Sequence, residues 1–186
     1  RGSAESLDRP IDVLVNSAGI GIHGSGLDHG WAAERSMLVL NILALAELTK
    51  HFGRRMRERG AGRILQVSST AAFQPCPGYA AYGASKAFVL QHAEALAEEF
   101  RATDVCVTAV CPGSTNTEFF DVSGNVRNRM QLATSLDPQV VARQAVDAIE
   151  RGRRTIVTGL TNRIATVGLR LVPRRLQAVL ARRVLE

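Results

Sequence analysis

The sequence predicts an α/β fold: an open, doubly wound parallel sheet with helices on both faces. Three observations predict it. Short, β-branched apolar runs alternate with longer stretches in which apolar residues recur at helical spacing. Each run ends at a small, polar or Gly-Pro signal, at Asn16 to Gly19, Ser68-Ser69 and Pro112-Gly113. The runs are mostly apolar rather than alternating, which fits strands buried on both faces of a parallel sheet.

Residues 11–15, Ile-Asp-Val-Leu-Val, form the first such strand, and a glycine-rich loop follows to Gly30. A long helix is predicted from about Trp31 to Arg59, with Met37, Leu38, Leu40, Leu45 and Leu48 as its apolar stripe. Arg54, Arg55, Arg57 and Arg59 suit the negative end of the helix dipole, and Gly60 and Gly62 stop the helix. Residues 63–68 are the second strand. Pro75, Pro77 and Gly78 then break regularity before a helix that carries Tyr82 and Lys86 and runs through Leu90, Ala93 and Leu96 to about Arg101. Residues 105–111 are the third strand, stopped by Pro112-Gly113. Residues 114–135 are polar apart from Phe119 and Phe120 and a few others, and read as a mobile loop or lid. Asp137 as N-cap and Pro138 in the first turn open a helix to about Arg151, and residues 155–158 are a fourth strand.

Residues 162–186 read as a basic amphipathic helical tail, in which Leu169, Val172, Leu176, Val179, Leu180 and Val184 interleave with Arg170, Arg174, Arg175, Arg182 and Arg183. Its expected place is against the body or another subunit, with the arginines solvated; an anionic membrane surface is the lesser alternative.

At 186 residues the chain fits one domain, residues 1–186, long enough to bury a core. The net charge is +6, but only Lys50 and Lys86 of the 23 basic residues are lysines. That bias follows genome base composition more readily than function, and with no recognised binding motif beside it no nucleic-acid partner is predicted. No run of about 18 apolar residues predicts a membrane-spanning helix, and the N-terminus has no signal-peptide pattern. Cys76, Cys106 and Cys111 cannot all pair and read as reduced thiols, which predicts a cytoplasmic location. The histidines are scattered and no metal is predicted.

The chemistry concentrates in residues 69–86. Tyr82 and Lys86 lie four apart, on one helix face, which sets a cation beside a phenol. A nearby positive charge is expected to lower a tyrosine pKa from about 10 toward the working pH, as an acid/base residue requires. Ser69, thirteen positions earlier, would hydrogen-bond a substrate oxygen. Such a pair arises often by chance, and its company gives it weight: Asn16-Ser17-Ala18-Gly19 after the first strand, Asn41 inside an apolar helix, and Pro112-Gly113-Ser114-Thr115-Asn116-Thr117 after the third. In this order and spacing the chain resembles, over almost its whole length, the short-chain dehydrogenase/reductase family, whose members carry Asn-Asn-Ala-Gly, Asn, Ser, Tyr-x-x-x-Lys and Pro-Gly-x-x-x-Thr.

The resemblance implies a Rossmann-like sheet and hydride transfer between NAD or NADP and a carbonyl or secondary alcohol carbon. It implies catalytic roles for Asn41, Ser69, Tyr82 and Lys86. Tyr82 would be the acid/base and would also contact the cofactor, and Lys86 would lower its pKa and hold the nicotinamide ribose. Ser69 would polarise the substrate oxygen, and Asn41 would hold a water in a proton relay. Asn16, Ala18 and Gly19 would line the adenosine side of the cofactor, with Ser17 in place of the family's second asparagine. Pro112, Gly113, Thr115 and Thr117 would face the nicotinamide, with Thr115 standing where an aliphatic residue is common. His23, Phe73, Gln74, Phe119 and Phe120 are expected to line the substrate pocket. A homodimer or homotetramer is expected through the helices around residues 38–48 and 89–96. The competing class is a non-catalytic cofactor-sensing or scaffold protein on the same fold, or an inactive fragment of such an enzyme; the intact set of four residues argues against a binding-only role. An epimerase or dehydratase of the family's extended branch would need a substrate domain in the roughly 28 residues after Thr158, too few to form one.

The family's opening Thr-Gly-x-x-x-Gly-x-Gly, whose backbone N–H groups hold the pyrophosphate, has no match here. The chain is therefore expected to begin at the family's fourth strand, as a piece of a larger chain, leaving an unpaired hydrophobic edge at residues 11–15. Val13 paired within this chain would weigh against that expectation. The second strand, at whose end NAD and NADP are told apart, falls outside the sequence.

Overall fold

Four parallel strands form one sheet in the order β1-β2-β3-β4, and the computed structural model describes residues 10–124 and 129–185. In chain order, β1 (Val13–Asn16) leads to α1 (Trp31–Leu38), a π-helical turn (Val39–Ala44) and α2 (Leu45–Arg59). Next come β2 (Ala61–Val67), a 3-10 turn (Thr70–Phe73), α3 (Ala80–Glu99) and β3 (Asp104–Cys111). Two short helices, α4 (Phe119–Ser123) and α5 (Arg129–Thr134), precede α6 (Pro138–Glu150) and β4 (Thr155–Val157). The chain closes with α7 (Leu160–Leu169) and α8 (Arg174–Leu185). A helix between each consecutive pair of strands returns the chain to the same end of the sheet, which makes every pairing parallel.

One face of the sheet is closed and the other only half closed. Ile64, Val107, Ala109 and Cys111 point to the face covered by α2 and α3, where they pack with Met56, Leu90, Ala93, Ala97 and Phe100. On the opposite face Leu65 and Val110 pack under Ala145 and Ile149 of α6. α6 does not extend over β1, so the first strand is not the buried strand its composition predicts: Val13 and Val15 are 50% and 54% exposed. Val13 does have a partner in this chain, Arg63 of β2. The opposite edge of β1 carries no strand among the described residues.

The helix from Trp31 to Arg59 has the predicted length but only part of the predicted stripe: Met37 and Leu45 are buried as expected and Leu48 is not. Its buried residues are Met37, Asn41, Leu45, Thr49, Phe52, Gly53 and Met56. Three successive steps of four mark the π turn, which widens the local period and rotates later residues out of an ideal helical phase. Leu48, expected inside, is exposed as a result, and the polar Asn41 and Thr49 take inward positions. Gly60, in the left-handed region at φ 79°, ends α2.

At the other end, Asp137 caps α6 by accepting a 2.7 Å bond from the Gln139 N–H, as predicted. The expected lid over residues 114–135 contains α4, α5 and a parallel bridge between Thr115 and Leu136. The tail is not one helix starting at residue 162. It begins at Leu160 and breaks before Pro173, where the Gln177 side chain donates to the carbonyls of Leu169 and Val172, each at 2.8 Å. Val184 and Glu186 fall where no side chain is described.

Candidate active site

The C-terminal ends of β1, β2 and β3 and the N-terminal half of α3 converge on one place, where an open α/β sheet binds its ligand. Ser68 fastens β2 to α3: its N–H donates to Val110 O at 2.7 Å, and its hydroxyl donates to Lys86 O at 2.8 Å. The next residue, Ser69, caps the 3-10 turn by accepting from the Ala71 N–H at 3.1 Å, and it lies close enough to the Tyr82 phenol to favour its ionised form. One helical turn on, Lys86 is buried and donates to Val67 O at 2.9 Å, with Nζ 5.8 Å from the centre of the Tyr82 ring.

Burial sets the protonation of both groups. The Lys86 ammonium is costly to hold in this enclosed place, and its pKa falls to about 8. The phenol of Tyr82 is raised above its ordinary value, first by burial, then by the neighbouring Tyr79 and Cys76 groups, with Ser69 opposing. The expected lowering of Tyr82 by Lys86 is not found, because burial dominates. The ammonium bonds a carbonyl instead of the phenol, and the rings of Phe119 (5.2 Å) and Tyr79 (5.8 Å) enclose Tyr82. Both states are nonetheless useful together: a protonated phenol beside a cation that is charged below about pH 8.

Asn41 is placed by the π turn and acts as a clamp. Its Oδ1 accepts from the Ile20 N–H at 3.1 Å, and its Nδ2 donates to Ile20 O at 2.9 Å and to Ser85 Oγ at 3.1 Å. The Ser85 hydroxyl donates in turn to Tyr82 O at 2.7 Å. Both amide protons are therefore engaged by protein, and only the second lone pair of Oδ1 remains for the expected water. The clamp presses the Ile20 backbone and Gly19 onto the site: a Cβ at Gly19 would lie 3.1 Å from Lys86 Nζ and 3.2 Å from Asn41 Oδ1. A side chain there would push on the lysine ammonium and the Asn41 amide, each of which would have to shift by a few tenths of an ångström.

The remaining predicted residues divide. The Asn16 side chain is buried and its Nδ2 donates to Thr49 Oγ1 at 2.9 Å, which ties β1 to α2. Ala18 is exposed beside Gly19. Pro112 accepts the Thr70 N–H at 2.8 Å through its carbonyl, which holds the turns after β2 and β3 together. Gly113 faces Asn162 of α7, whose amide occupies the space a Cβ would need. Thr115 folds its hydroxyl back onto Gly113 O at 3.1 Å. Thr117, with Gly19, Ile20, Asn116, Glu118, Phe119 and Pro138, lines a cleft of about 500 Å³ beside Tyr82 and Lys86. Of the expected pocket residues, Phe119 packs tilted against Tyr82, Phe120 meets Phe119 edge-on at 5.6 Å, and His23 packs tilted against Tyr79 at 4.9 Å. Phe73 turns the other way, into the core and toward α7, and Gln74 offers its carbonyl to Cys76.

Ser85, Tyr79 and Asn162 belong to this arrangement and went unread in the sequence. Ser85 had a usable signal, a hydroxyl three residues after Tyr82 and next to Lys86. Asn162 had none, since its partner Gly113 is 49 positions away.

The fold and site define a class: an α/β protein with a Ser-Tyr-Lys constellation at the carboxyl ends of parallel strands. Comparison with known proteins carries this further. The short chain dehydrogenase family model matches residues 3–127, so the chain belongs to that family. It is 34% identical over 154 residues to the ketoacyl reductase HetN of Nostoc sp., covering 83% of this chain and 53% of that protein. It is 35% identical over 118 residues to human dehydrogenase/reductase SDR family member 4, covering 63% and 42%. The chain therefore spans about half the length of these relatives. Among solved structures, a short-chain dehydrogenase of Sphingobium yanoikuyae in complex with NADPH superposes with TM-score 0.76 at 27% identity, over 92% of this chain and 69% of that one. A Burkholderia phymatum member in complex with NAD gives TM-score 0.76 at 25% identity, over 90% and 67%.

Proposed function

We propose that the protein is an NAD- or NADP-dependent oxidoreductase that interconverts a carbonyl and a secondary alcohol, with Tyr82 as the acid/base. The observation that carries this reading is the buried Lys86 ammonium, held on Val67 O one helical turn behind Tyr82 with Nζ 5.8 Å from the centre of its ring, beside Ser69 just after β2. The same cleft fits the nicotinamide half of a dinucleotide: Gly19 leaves the backbone open toward Lys86, and Thr117 lines the opposite wall. The glycine-rich turn that would hold the pyrophosphate is not part of this sequence. Lys86, Gly19 and Thr117 would hold the ribose and nicotinamide, and the bound nicotinamide supplies or accepts the hydride.

In the reducing direction a substrate carbonyl oxygen sits between Ser69 Oγ and Tyr82 OH. Ser69 donates a hydrogen bond that polarises it. As hydride arrives on the carbonyl carbon, Tyr82 gives its proton to the oxygen, and the product is the neutral alcohol. The Lys86 cation stabilises the phenolate left behind. The raised pKa of Tyr82 suits the acid role, because the phenol holds its proton until charge develops on the substrate. Phe119, Phe120, Tyr79 and His23 give the substrate side an aromatic wall, which favours an apolar carbonyl compound, in keeping with the ketoacyl reductase among the relatives. Assembly into a homodimer or homotetramer accompanies this reading; Val39, Leu43 and Leu48 are exposed for it, whereas Val89 and Leu90 of the second expected helix are buried within the chain.

The test is consumption of NADPH and NADH by the intact protein with a panel of apolar ketones, alongside the Ser69→Ala and Tyr82→Phe variants. Turnover lost in both, with cofactor affinity retained, supports the enzyme. Cofactor binding without turnover in the unaltered protein identifies a sensor or scaffold.

A further inference from the structure

The end of the sheet farthest from β1 is built inside out. α7 lies against β4 and the Thr70–Phe73 turn, and the buried residues of the two closing helices are Thr166, Gln177 and Ala181, small or polar side chains. The large apolar residues look outward. Leu160, Ile164 and Val167 share one face of α7, Leu171 stands in the turn that follows it, and Leu176, Val179 and Leu180 share one face of α8; all seven are exposed, Leu160 at 73% and Leu171 at 89%. No aspartate or glutamate occurs between Arg151 and Leu185, while Arg163, Arg170, Arg174, Arg175, Arg182 and Arg183 on the same two helices are all exposed. Beside the strip, a groove of about 460 Å³ between α7, β4 and α6 is lined by Leu160, Val167 and Ile156, with Arg153, Arg163 and Arg170 among its walls. Its two acids are engaged: Asp147 pairs with Arg151 at 2.7 Å, and Glu94 accepts from Thr155 at 2.8 Å.

We propose that the α7–α8 face docks the protein on an anionic lipid bilayer. The leucines, isoleucine and valines enter the boundary between headgroups and acyl chains, and the arginines take the lipid phosphates. Charge decides between occupants. A second copy on this same face would bring Arg163, Arg170, Arg174, Arg175 and Arg183 against the same five, with Glu186 the only acid in the sequence after Glu150, whereas a phosphate-bearing surface offsets them. Helices that pack by small and polar residues and present their apolar residues outward suit an apolar second medium, because the alternative leaves that surface in water.

The experiment is sedimentation of the intact protein with vesicles of phosphatidylcholine alone and with about a third phosphatidylglycerol, at low and high salt. Partition onto the anionic vesicles is expected to be at least about tenfold stronger and to fall as salt screens the arginines. Ile164→Ser with Leu171→Ser, both at exposed positions, is expected to lower it at least about fivefold with an unchanged circular dichroism spectrum. Arg174→Gln with Arg175→Gln is expected to lower it and flatten the salt dependence. Absence of the protein from the anionic pellet overturns the proposal, as does equal binding to both vesicles. Self-association abolished by the serine pair, with lipid binding unaffected, overturns it in favour of a protein partner.

Discussion

The two ends of this sheet treat polarity in opposite ways. Around α2 and α3 the polar side chains that go inside are bonded to one another: Asn16 and Gln66 to Thr49, Asn41 to Ile20 and Ser85, Lys86 to Val67. Around α7 and α8 the inside is small or polar and the large apolar residues face out. Buried polar groups without partners cost stability, so a satisfied cluster of this size marks a place held to one geometry. An outward apolar strip marks a place that meets something else. The first end is where a reaction would be positioned, and the second is where the protein would be moored.

The largest structural effect should separate the two ends directly. Ile64→Ala, at a fully buried position between β2 and α2, is expected to cost about 2–5 kcal/mol in denaturant unfolding. Leu171→Ala, the same kind of truncation on the outer face, should stay within about 0.5 kcal/mol. Equal costs would show that the outer face at the α7–α8 turn is covered within this chain and would remove the contrast.

Next in size is Asn41→Ala. It frees the Ile20 N–H and carbonyl and the Ser85 hydroxyl at once, and about 2 kcal/mol of destabilisation is expected. Amide exchange at Ile20 should accelerate; an unchanged rate there would show that the clamp does not hold the Gly19 turn.

The buried lysine gives a pH signature. Unfolded, a lysine titrates near 10.5; folded, Lys86 titrates at about 8, so between these values the unfolded chain binds more protons and stability rises with pH. Lys86 should add about 1.4 kcal/mol between neutral pH and about pH 9. Above that the sign reverses, because the thiols of Cys76 and Cys111, pushed up by burial from 9.0 to about 11 and about 12, stay protonated when folded while the unfolded thiols ionise. Stability should therefore peak between about pH 8 and pH 9. Lys86→Met should remove the rising limb and leave the falling one, and a rising limb that persists would place the titration elsewhere.

Much of this was legible in the sequence because it depends on local pattern. Strand ends marked by Asn16, Ser69 and Pro112 place three site segments at one edge of a parallel sheet, and the four-residue spacing of Tyr82 and Lys86 fixes their common face. What escaped depends on geometry that the pattern does not carry. The π turn shifts the inward stripe from Leu48 to Thr49. The tie between Asn16 and Thr49 shows only once the fold brings the two together. The tyrosine pKa could not be signed from a neighbouring cation alone, since the rings of Phe119 and Tyr79 decide how dry the phenol is. The tail pattern gave amphipathic helices, but not which face turns inward, and it hid the break at Pro173.

The most direct test of the reading of the site is a single-turnover measurement on the intact protein loaded with reduced nicotinamide, comparing Tyr82→Phe with the unaltered chain at equal cofactor occupancy. The account predicts ketone reduction slowed by about 10²–10⁴-fold, with cofactor affinity changed by less than about threefold, because the phenol supplies the proton while Lys86 and the Gly19 and Thr117 segments would hold most of the cofactor. Reduction at an undiminished rate would contradict it and move the acid away from Tyr82.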